Sequence, residues 1–417
     1  MEYGTLFIAL ACLFGLMMTW GVGANDLANV MSTTMGSKAI TLRQALIIAV
    51  IFEYAGAFLG GVQVSDTVRS GIINTSMLSA TPEILIYGML AVLLAGTTWM
   101  LLASFLGLPV SITHTIIGAM VGFGTIVLGV NAVHWHQVGI IAVSWITSPM
   151  IAGIFAYLLF LSVQRLIFMR PHPFGYAKRY APVYLFLIGV AISTASILRG
   201  LAALGIALTG FEKIATTLGT GLVIMLIGVA LIRRLNIPED AGRHTHFSYV
   251  EKVFAILMLF TACAMVFAHG SNDVAIAVGP MAAVVSIVQS GGQVMFGDLP
   301  YWVIFLGCTG VVLGLLMYGR NVIKTVGTKI TSLTPSRAFA ATLSAAFTVV
   351  VATGTGIPVS ATQTLVGGVL GVGLARGIGA LNLTVIRNIF MSWAITIPAG
   401  ATFAVVYFEI FKALLGQ

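Results

Sequence analysis

Long apolar runs recur from one end of this chain to the other, and several of them contain 17 or more residues. An α-helix needs about 20 such residues to cross a hydrocarbon core roughly 30 Å thick. Only 8% of the 417 residues are charged, against roughly 25% in soluble proteins. Strands of a membrane barrel would alternate apolar and polar residues in segments of about ten, and that alternation is missing. The chain is therefore predicted to be an all-α integral membrane protein.

We predict twelve transmembrane segments, of which the first and eighth are interrupted, at 21–29 and 269–273. The segments are 4–35, 45–63, 84–106, 112–130, 137–161, 182–204, 215–232, 253–285, 301–318, 336–352, 359–375 and 386–411. Residues 1–164 form a first transmembrane repeat and residues 253–417 a second. Residues 165–252 connect them with further segments and cytoplasmic loops.

Basic residues predict the orientation of the chain. Sixteen of the twenty Lys and Arg residues follow odd-numbered segments. Cytoplasmic loops carry an excess of Lys and Arg, so the odd loops are expected in the cytoplasm and both termini on the outer side of a plasma or inner membrane. Because the basic residues are scattered along the chain, we expect no nucleic acid as a partner. Membrane lipid is expected as a partner because the chain is predicted to span a membrane.

Two short sequences occur twice in the same order. Gly-Ala-Asn-Asp-Leu-Ala-Asn-Val at 23–30 is repeated as Gly-Ser-Asn-Asp-Val-Ala-Ile-Ala at 270–277, a shift of 247. Gly-Leu-Pro-Val-Ser-Ile-Thr-His at 107–114 is repeated as Gly-Ile-Pro-Val-Ser-Ala-Thr-Gln at 356–363, a shift of 249. If all seven intervening segments cross, the repeats are inverted, which is typical of secondary transporters with broken or re-entrant helices. If one of the seven is re-entrant, this argument fails.

The Asn-Asp stretches place carboxylates in the middle of apolar segments, where ionisable residues usually face a ligand or pathway. Gly residues precede each stretch and suggest a broken helix, which would line a cavity or bind an ion. Asn and Asp oxygens suit a small hard cation such as sodium. The alternative is a structural helix break with an internally bonded Asp. The candidate cation-coupling residues are Asn25, Asp26, Asn29, Asn272 and Asp273, of which Asn25, Asp26, Asn272 and Asp273 are candidate sodium ligands.

The Pro-Val-Ser stretches predict two helix N-termini within the membrane. Ser111 and Ser360 are suitable N-caps. Helix N-termini offer unpaired N–H groups and a positive dipole end, so two of them could bind a tetrahedral oxyanion without Lys or Arg. Ordinary capping at a hairpin is the alternative. The candidate substrate ligands are Ser111, Thr113, His114, Ser360, Thr362 and Gln363.

Glu53 is a third acidic residue within a predicted segment. The corresponding region of the second repeat, near Phe305, has no carboxylate. Glu53 is therefore either a structural hydrogen-bond acceptor or an auxiliary cation-coupling residue.

Together these motifs resemble the inorganic phosphate transporter (PiT) family. The family motif Gly-Ala-Asn-Asp-Val-Ala-Asn matches 23–29 with Leu27 for Val, and Pro-Val-Ser-x-Thr-His matches 109–114. The segment 64–71 is also similar to the family. The resemblance implies an inverted-repeat transporter that moves phosphate with a cation, often as a homodimer. It assigns the Asn-Asp residues to cation sites and the Ser and Thr residues to phosphate.

This sequence departs from the family pattern at a few positions. Ile276 stands where the second stretch would have Asn, and Gln363 replaces the second His. Ile112 and Ala361 replace Thr. These differences leave open whether sodium or a proton is the coupling ion.

We therefore expect cation-coupled symport of inorganic phosphate by alternating access, with no catalytic residue and no cofactor beyond the coupling ion. Asp26 or Asp273 near the anion would favour phosphate, which carries a proton near neutral pH, over sulfate. The alternatives are a sulfate permease of the same fold, an intramembrane enzyme that uses the paired Asp residues, and a channel.

Overall fold

The structure, a computed structural model, describes residues 3–195, 208–238, 242–319, 333–377, 379 and 381–415. Regular secondary structure in these residues is helical, apart from an isolated β-bridge between Ile73 and Val133. We number the α-helices α1 Gly4–Val22, α2 Ala28–Gly36, α3 Leu42–Gly60, α4 Val62–Asp66, α5 Pro82–Phe105, α6 Ile112–Phe123, α7 Trp135–Val163, α8 Pro173–Ala195, α9 Gly210–Arg233, α10 Arg243–His269, α11 Ala275–Gln289, α12 Tyr301–Gly314, α13 Pro335–Gly354, α14 Ala361–Ala375 and α15 Leu383–Leu415.

Nine helical stretches of the described residues are long and apolar enough to cross a membrane. They are Gly4–Gly36, Leu42–Gly60, Pro82–Phe105, Trp135–Phe168, Gly210–Arg233, Arg243–Gln289, Tyr301–Gly319, Pro335–Gly354 and Leu383–Leu415. The predicted segments 112–130 and 359–375 form shorter apolar helices. The predicted segment 182–204 begins in α8, and its residues 196–204 lie outside the described residues. The multi-pass helical architecture is confirmed, whereas the count of twelve crossings stays a prediction.

The two Asn-Asp stretches do not break their helices. Gly23–Leu27 and Gly270–Val274 are two of the six π turns in the described residues, and α-helix continues on both sides of each. Gly23, the first residue of the first of these turns, and Ala28, which follows it, have helical φ/ψ values of −63°/−40° and −62°/−40°. The predicted interruptions at 21–29 and 269–273 are therefore wrong. A π turn alters the backbone bonding pattern inside a continuous helix, and such turns are frequent at functional sites.

The glycines of these stretches allow close helix contact rather than unwinding. A Cβ on Gly23 would lie 1.8 Å from the carbonyl oxygen of Val311 in α12. A Cβ on Gly270 would lie 2.3 Å from the carbonyl oxygen of Glu53 in α3. Because no side chain fits at such distances, glycine lets each π turn pack directly on the backbone of a helix from the other half of the chain.

The short helices α6 and α14 also pack against the opposite half. A Cβ on Gly367 of α14 would lie 2.2 Å from the carbonyl oxygen of Pro149 in α7, and one on Gly118 of α6 would lie 2.5 Å from that of Ile397 in α15. Pro398 follows Ile397, and it lies 249 residues after Pro149, the shift that relates the two Pro-Val-Ser stretches. The two halves therefore exchange equivalent contacts.

The membrane-spanning helices differ in how far they are buried within the protein. In the most apolar window of each span, 78% of the residues are buried in α5 and 72% in the helix that contains α10 and α11, whereas only 11% are buried in α9. The second Asn-Asp stretch thus lies among the innermost helices, and α9 presents most of its surface outward.

Candidate functional site

Two acidic side chains and an imidazole meet at the π turns of the two Asn-Asp stretches. One ligand atom from each of Asp26, His269 and Asp273 lies within 4.8 Å of the others. Asp26 and His269 are fully buried, and Asp273 is 1% exposed. Glu53, also fully buried, contacts His269. We call these four residues the acidic cluster.

Asp26 connects the acidic cluster to both short helices. Its Oδ2 accepts a hydrogen bond from the N–H of Ile112, the first residue of α6, at an N···O distance of 3.2 Å. Its Oδ1 accepts a hydrogen bond from the hydroxyl of Thr362, the second residue of α14. The first N–H groups of a helix have no acceptor within the helix, and the dipole there favours negative charge. The Asp26 carboxylate therefore lies where each short helix best accepts an anion.

Asp273 has a different environment, although its sequence context is the same. No donor among the described residues makes a hydrogen bond to either oxygen of its carboxylate. Its Oδ2 lies 4.0 Å from Nε2 of His269, which is too long for a hydrogen bond. A buried carboxylate with no donor is costly, so a cation bound at Asp273 would provide compensation that the neighbouring side chains do not.

Glu53 and His269 form a buried pair across the two halves of the chain. Nδ1 of His269 lies 2.6 Å from Oε1 of Glu53, and neither side chain is exposed. Glu53 thus acts as a hydrogen-bond partner, one of its two predicted roles. His269 is not among the predicted site residues. The available signal was an imidazole within an apolar segment, directly before the repeated Gly-Ser-Asn-Asp.

Asn25 and Asn272 hold the Pro-Val dipeptides at 109–110 and 358–359, which precede α6 and α14. Oδ1 of Asn25 accepts from the N–H of Val110 at 3.3 Å, and its Nδ2 donates to the carbonyl of Leu108 at 3.1 Å. Oδ1 of Asn272 accepts from the N–H of Val359 at 3.2 Å, and its Nδ2 donates to the carbonyl of Val359 at 2.6 Å. Each amide thereby ties a π turn to the short helix of its own repeat.

Asn29 extends this network in the first repeat alone. Its Nδ2 donates to Oδ1 of Asn25 at 3.0 Å, and its own Oδ1 has no hydrogen-bond partner in the described part of the chain. Nδ2 of Asn25 also donates to Ser104 at 3.2 Å. The counterpart of Asn29 is Ile276, which is fully buried and apolar. The second repeat therefore lacks one polar oxygen at this position.

Ser111 and Ser360 cap the short helices, which confirms that prediction. The Ser111 hydroxyl oxygen accepts from the N–H of His114 at 3.4 Å, and that of Ser360 accepts from the N–H of Gln363 at 3.2 Å. Both caps have extended backbone, as N-cap residues usually do. The two helices therefore start inside the protein with capped first turns.

The threonines that follow these caps have unlike partners. The hydroxyl of Thr113 donates to the carbonyl of Val359 at 2.8 Å, whereas that of Thr362 donates to Asp26. Both bonds cross between repeats. The starts of α6 and α14 therefore come together beside the acidic cluster.

Two further hydroxyls, each from the opposite repeat, bind the backbone at or shortly before the Pro-Val dipeptides. Thr67 donates to the carbonyl of Gly356 at 2.8 Å, and Ser392 donates to the carbonyl of Pro109 at 3.0 Å. Neither residue is among the predicted site residues. Thr67 does lie in the 64–71 segment that resembles the family, whereas the sequence gives no comparable signal for Ser392.

The side chains of His114 and Gln363 line a cavity of about 630 Å³ between α7, α14 and α15. The imidazole of His114 packs edge-on against Trp145, with a ring-centroid distance of 4.1 Å. Most other lining residues are aliphatic or aromatic. Such walls offer few hydrogen-bond donors to a phosphate ion. The predicted substrate ligands His114 and Gln363 therefore line a largely apolar cavity, whereas Asp26 is surrounded by polar groups.

The acidic cluster contains three carboxylates and one imidazole. Within the described ranges, the ion pairs of the cluster involve His269 alone. Buried charges without partners cost several kcal/mol each. The carboxylate oxygens of Asp273 and the amide oxygen of Asn29 have no hydrogen-bond partner among the described residues. Oxygens of these two kinds are the usual protein ligands of hard cations. The donor set therefore fits a small hard cation.

The sequence and fold match proteins that are named for phosphate transport. Residues 22–404 match the model of the phosphate transporter family. A Haemophilus influenzae protein described as a candidate phosphate permease is 48% identical over 99% of this chain and 98% of its own length. The Arabidopsis thaliana protein named inorganic phosphate transporter 2-1, chloroplastic, is 38% identical over 100% of this chain and 73% of its own length.

A solved structure described as the sodium-dependent phosphate transporter has the same fold. It superposes with a TM-score of 0.88 at 36% sequence identity, and the match covers 98% of this chain and 100% of that one.

Proposed function

Because the chain belongs to the phosphate transporter family, we propose that it is a secondary active transporter that carries inorganic phosphate together with a cation. We propose sodium as the cation, since a solved relative of 36% identity is named for its sodium dependence. The family consists of transporters and not of enzymes, so the alternative of an intramembrane enzyme is excluded. The relatives reported above are named for phosphate, and they give no support to a sulfate permease.

One observation carries this proposal. A buried cluster of carboxylates with too little positive charge lies directly beside the N-termini of two short helices, and Asp26 contacts both helices. The carboxylates suit a cation and the helix ends suit an anion. Two ions of opposite charge bound side by side would compensate each other, which favours binding them together.

We assign the anion to the two helix starts. Ser111, Thr113, Ser360 and Thr362 would contribute hydroxyls, together with the N–H groups of the first turns. Phosphate would then bind to neutral donors and dipoles without a buried Lys or Arg. His114 and Gln363 would flank this site.

We assign the cation to the acidic cluster. Asp26 and Asp273 would supply carboxylate oxygens, and Asn29 an amide oxygen. The Asn25 and Asn272 amides bond to the Pro-Val dipeptides, so we propose that they link the cation site to the anion site, in addition to their predicted role as ligands. Glu53 would act on the cation through His269.

The repeats provide the proposed means of transport. We propose that 1–164 and 253–417 are inverted repeats joined by 165–252, with both termini on the outer side. The exchanged contacts of α6 and α14 with α15 and α7 support two pseudo-symmetric arrangements, one open to each side, as alternating access requires. We also propose a homodimer, as the family resemblance implies.

Uptake of radiolabelled phosphate into proteoliposomes tests this function. The liposomes would carry an inward sodium gradient, an inward proton gradient or neither, and protein-free liposomes provide the background. We expect phosphate to accumulate above its external concentration with the sodium gradient.

Three other results would contradict the proposal in different ways. Accumulation driven by protons alone would replace sodium as the coupling ion. Accumulation of sulfate but not phosphate would overturn the substrate, and phosphate flux that ignores both gradients would indicate a channel.

A further inference from the structure

We propose that the Asp26 carboxylate competes with phosphate for the donors at the two helix starts, and that it leaves these donors only when a cation bound beside Asp273 draws it away. This inference rests on the proposed function and deepens it. It gives Asp26 a role in coupling beyond that of a cation ligand.

The contacts of Asp26 carry the argument. Its two oxygens accept from the N–H of Ile112 and the hydroxyl of Thr362. These donors lie in the first turns of the two short helices, and the proposed phosphate site depends on such donors. A backbone N–H has one hydrogen, so the N–H of Ile112 serves either the carboxylate or a phosphate oxygen.

Charge adds to this competition. A carboxylate and a phosphate held against the same helix ends would repel each other strongly in a buried site. Phosphate therefore binds well only if Asp26 turns away. The ligand atoms of Asp273 and His269 lie within 4.8 Å of a carboxylate oxygen of Asp26, so a cation bound among these groups has Asp26 within reach.

The second repeat shows that this arrangement is specific to Asp26. The hydroxyl of Thr113, the counterpart of Thr362, donates to the carbonyl of Val359. Neither oxygen of Asp273 accepts a hydrogen bond within the described residues. A single carboxylate thus occupies anion-binding donors, while its counterpart is available for a cation.

The consequence is a simple rule for coupling. Without the cation, Asp26 holds the donors and phosphate binds weakly. With the cation, Asp26 moves toward it and the donors become available. Phosphate and cation then raise each other's affinity by the same factor, as thermodynamic linkage requires.

Equilibrium binding of inorganic phosphate to the purified full chain tests this role, in buffers with sodium or with an inert organic cation in its place. Wild type should bind phosphate at least about tenfold more weakly without sodium. Asp26→Asn and Asp26→Ser should each bind phosphate without sodium at least about tenfold more tightly than wild type does. Two replacements guard against one that fails to fold, and gel filtration identifies folded protein. Asp273→Asn is the matched control, which should not gain binding without sodium.

The outcomes separate this inference from the proposed function. If wild type binds phosphate with sodium but neither Asp26 variant gains sodium-independent binding, Asp26 is only a cation ligand and the inference is wrong. The same holds if Asp273→Asn gains that binding equally, or if sodium does not affect the phosphate affinity of wild type. If wild type does not bind phosphate with sodium present, the proposed function fails as well.

Discussion

The two Asn-Asp stretches have nearly the same sequence, but their carboxylates differ in the hydrogen-bond donors that surround them. Asp26 accepts hydrogen bonds from the starts of α6 and α14. The carboxylate of Asp273 accepts no hydrogen bond within the described residues, and its Oδ2 lies 4.0 Å from Nε2 of His269. The repeat therefore conserves the backbone, a π turn in each case, while the carboxylates differ in their partners. A duplicated motif can thus give one side chain that contacts the proposed anion site and another that is available to the proposed cation.

The difference arises from a few neighbouring residues. Val22 stands 247 positions before His269, and Asn29 corresponds to Ile276. The first repeat therefore has an extra amide, and the second has an imidazole paired with Glu53. Each of these residues can be exchanged to test whether the asymmetry serves coupling.

Removal of the Asp273 carboxylate, which accepts no hydrogen bond from the described residues, should have the largest effect on phosphate transport. In Asp273→Asn, the cation loses the one carboxylate without a competing donor, so sodium-driven accumulation of phosphate should fall by about 100-fold. Uptake into proteoliposomes with an inward sodium gradient measures this fall. Asp298→Asn, which neutralises an exposed loop carboxylate, should accumulate phosphate as wild type does. Wild-type accumulation in Asp273→Asn would show that the two carboxylates do not divide the task as proposed.

Disruption of the buried pair should mainly reduce stability. Glu53→Leu or His269→Val, the latter copying the first repeat, leaves a buried partner unsatisfied, at a cost of about 1–3 kcal/mol. The double variant should lose less than the sum of the single losses, because no half of the pair is left alone. Thermal unfolding in detergent tests this. Strictly additive losses would mean that the 2.6 Å contact does not couple the two halves.

Truncation of the two amides should affect phosphate affinity unequally. Asn25 bonds to Ser104, Leu108, Val110 and Asn29, whereas Asn272 bonds only to Val359 within the described residues. At about 1 kcal/mol for each lost bond, partly compensated by relaxation, Asn25→Ala should weaken phosphate binding about tenfold and Asn272→Ala clearly less. Binding measured in saturating sodium makes the comparison. Equal losses would mean that the extra bonds of Asn25 do not position α6.

The multi-pass helical architecture, the candidate motifs and the Ser111 and Ser360 caps could be predicted from the sequence because each depends on local pattern. The π turns could not. A glycine that loosens a helix and a glycine that admits a neighbouring backbone look the same in sequence, and only the contacts of Gly23 with Val311 and of Gly270 with Glu53 distinguish them.

The two long-range contacts that organise the site could not be predicted from local sequence patterns either. Glu53 and His269 are 216 residues apart, and Asp26 and Thr362 are 336 apart. Both pairs join opposite repeats, so no sequence spacing brings them together. The repeat itself encouraged the expectation of equal roles for Asp26 and Asp273, and the structure shows that their partners differ.

The smallest expected effect is a gain in affinity for the cation, caused by Ile276→Asn. Oδ1 of Asn25 accepts from both Asn29 and Val110, whereas Oδ1 of Asn272 accepts only from Val359 in the described part of the chain. Ile276→Asn would therefore meet an acceptor at Asn272 that can satisfy its amide, and its oxygen would give the second repeat the ligand that it lacks.

We expect Ile276→Asn to lower the sodium concentration for half-maximal phosphate uptake about threefold, near the lower end of typical coupling between sites. Ile276→Val, which changes volume but not polarity, is the control and should leave this concentration unchanged. An unchanged or higher sodium requirement in Ile276→Asn would mean that the cation does not reach the second Asn-Asp stretch at this position. The asymmetry between the repeats would then lie in the partners of Asp26 and Asp273 alone.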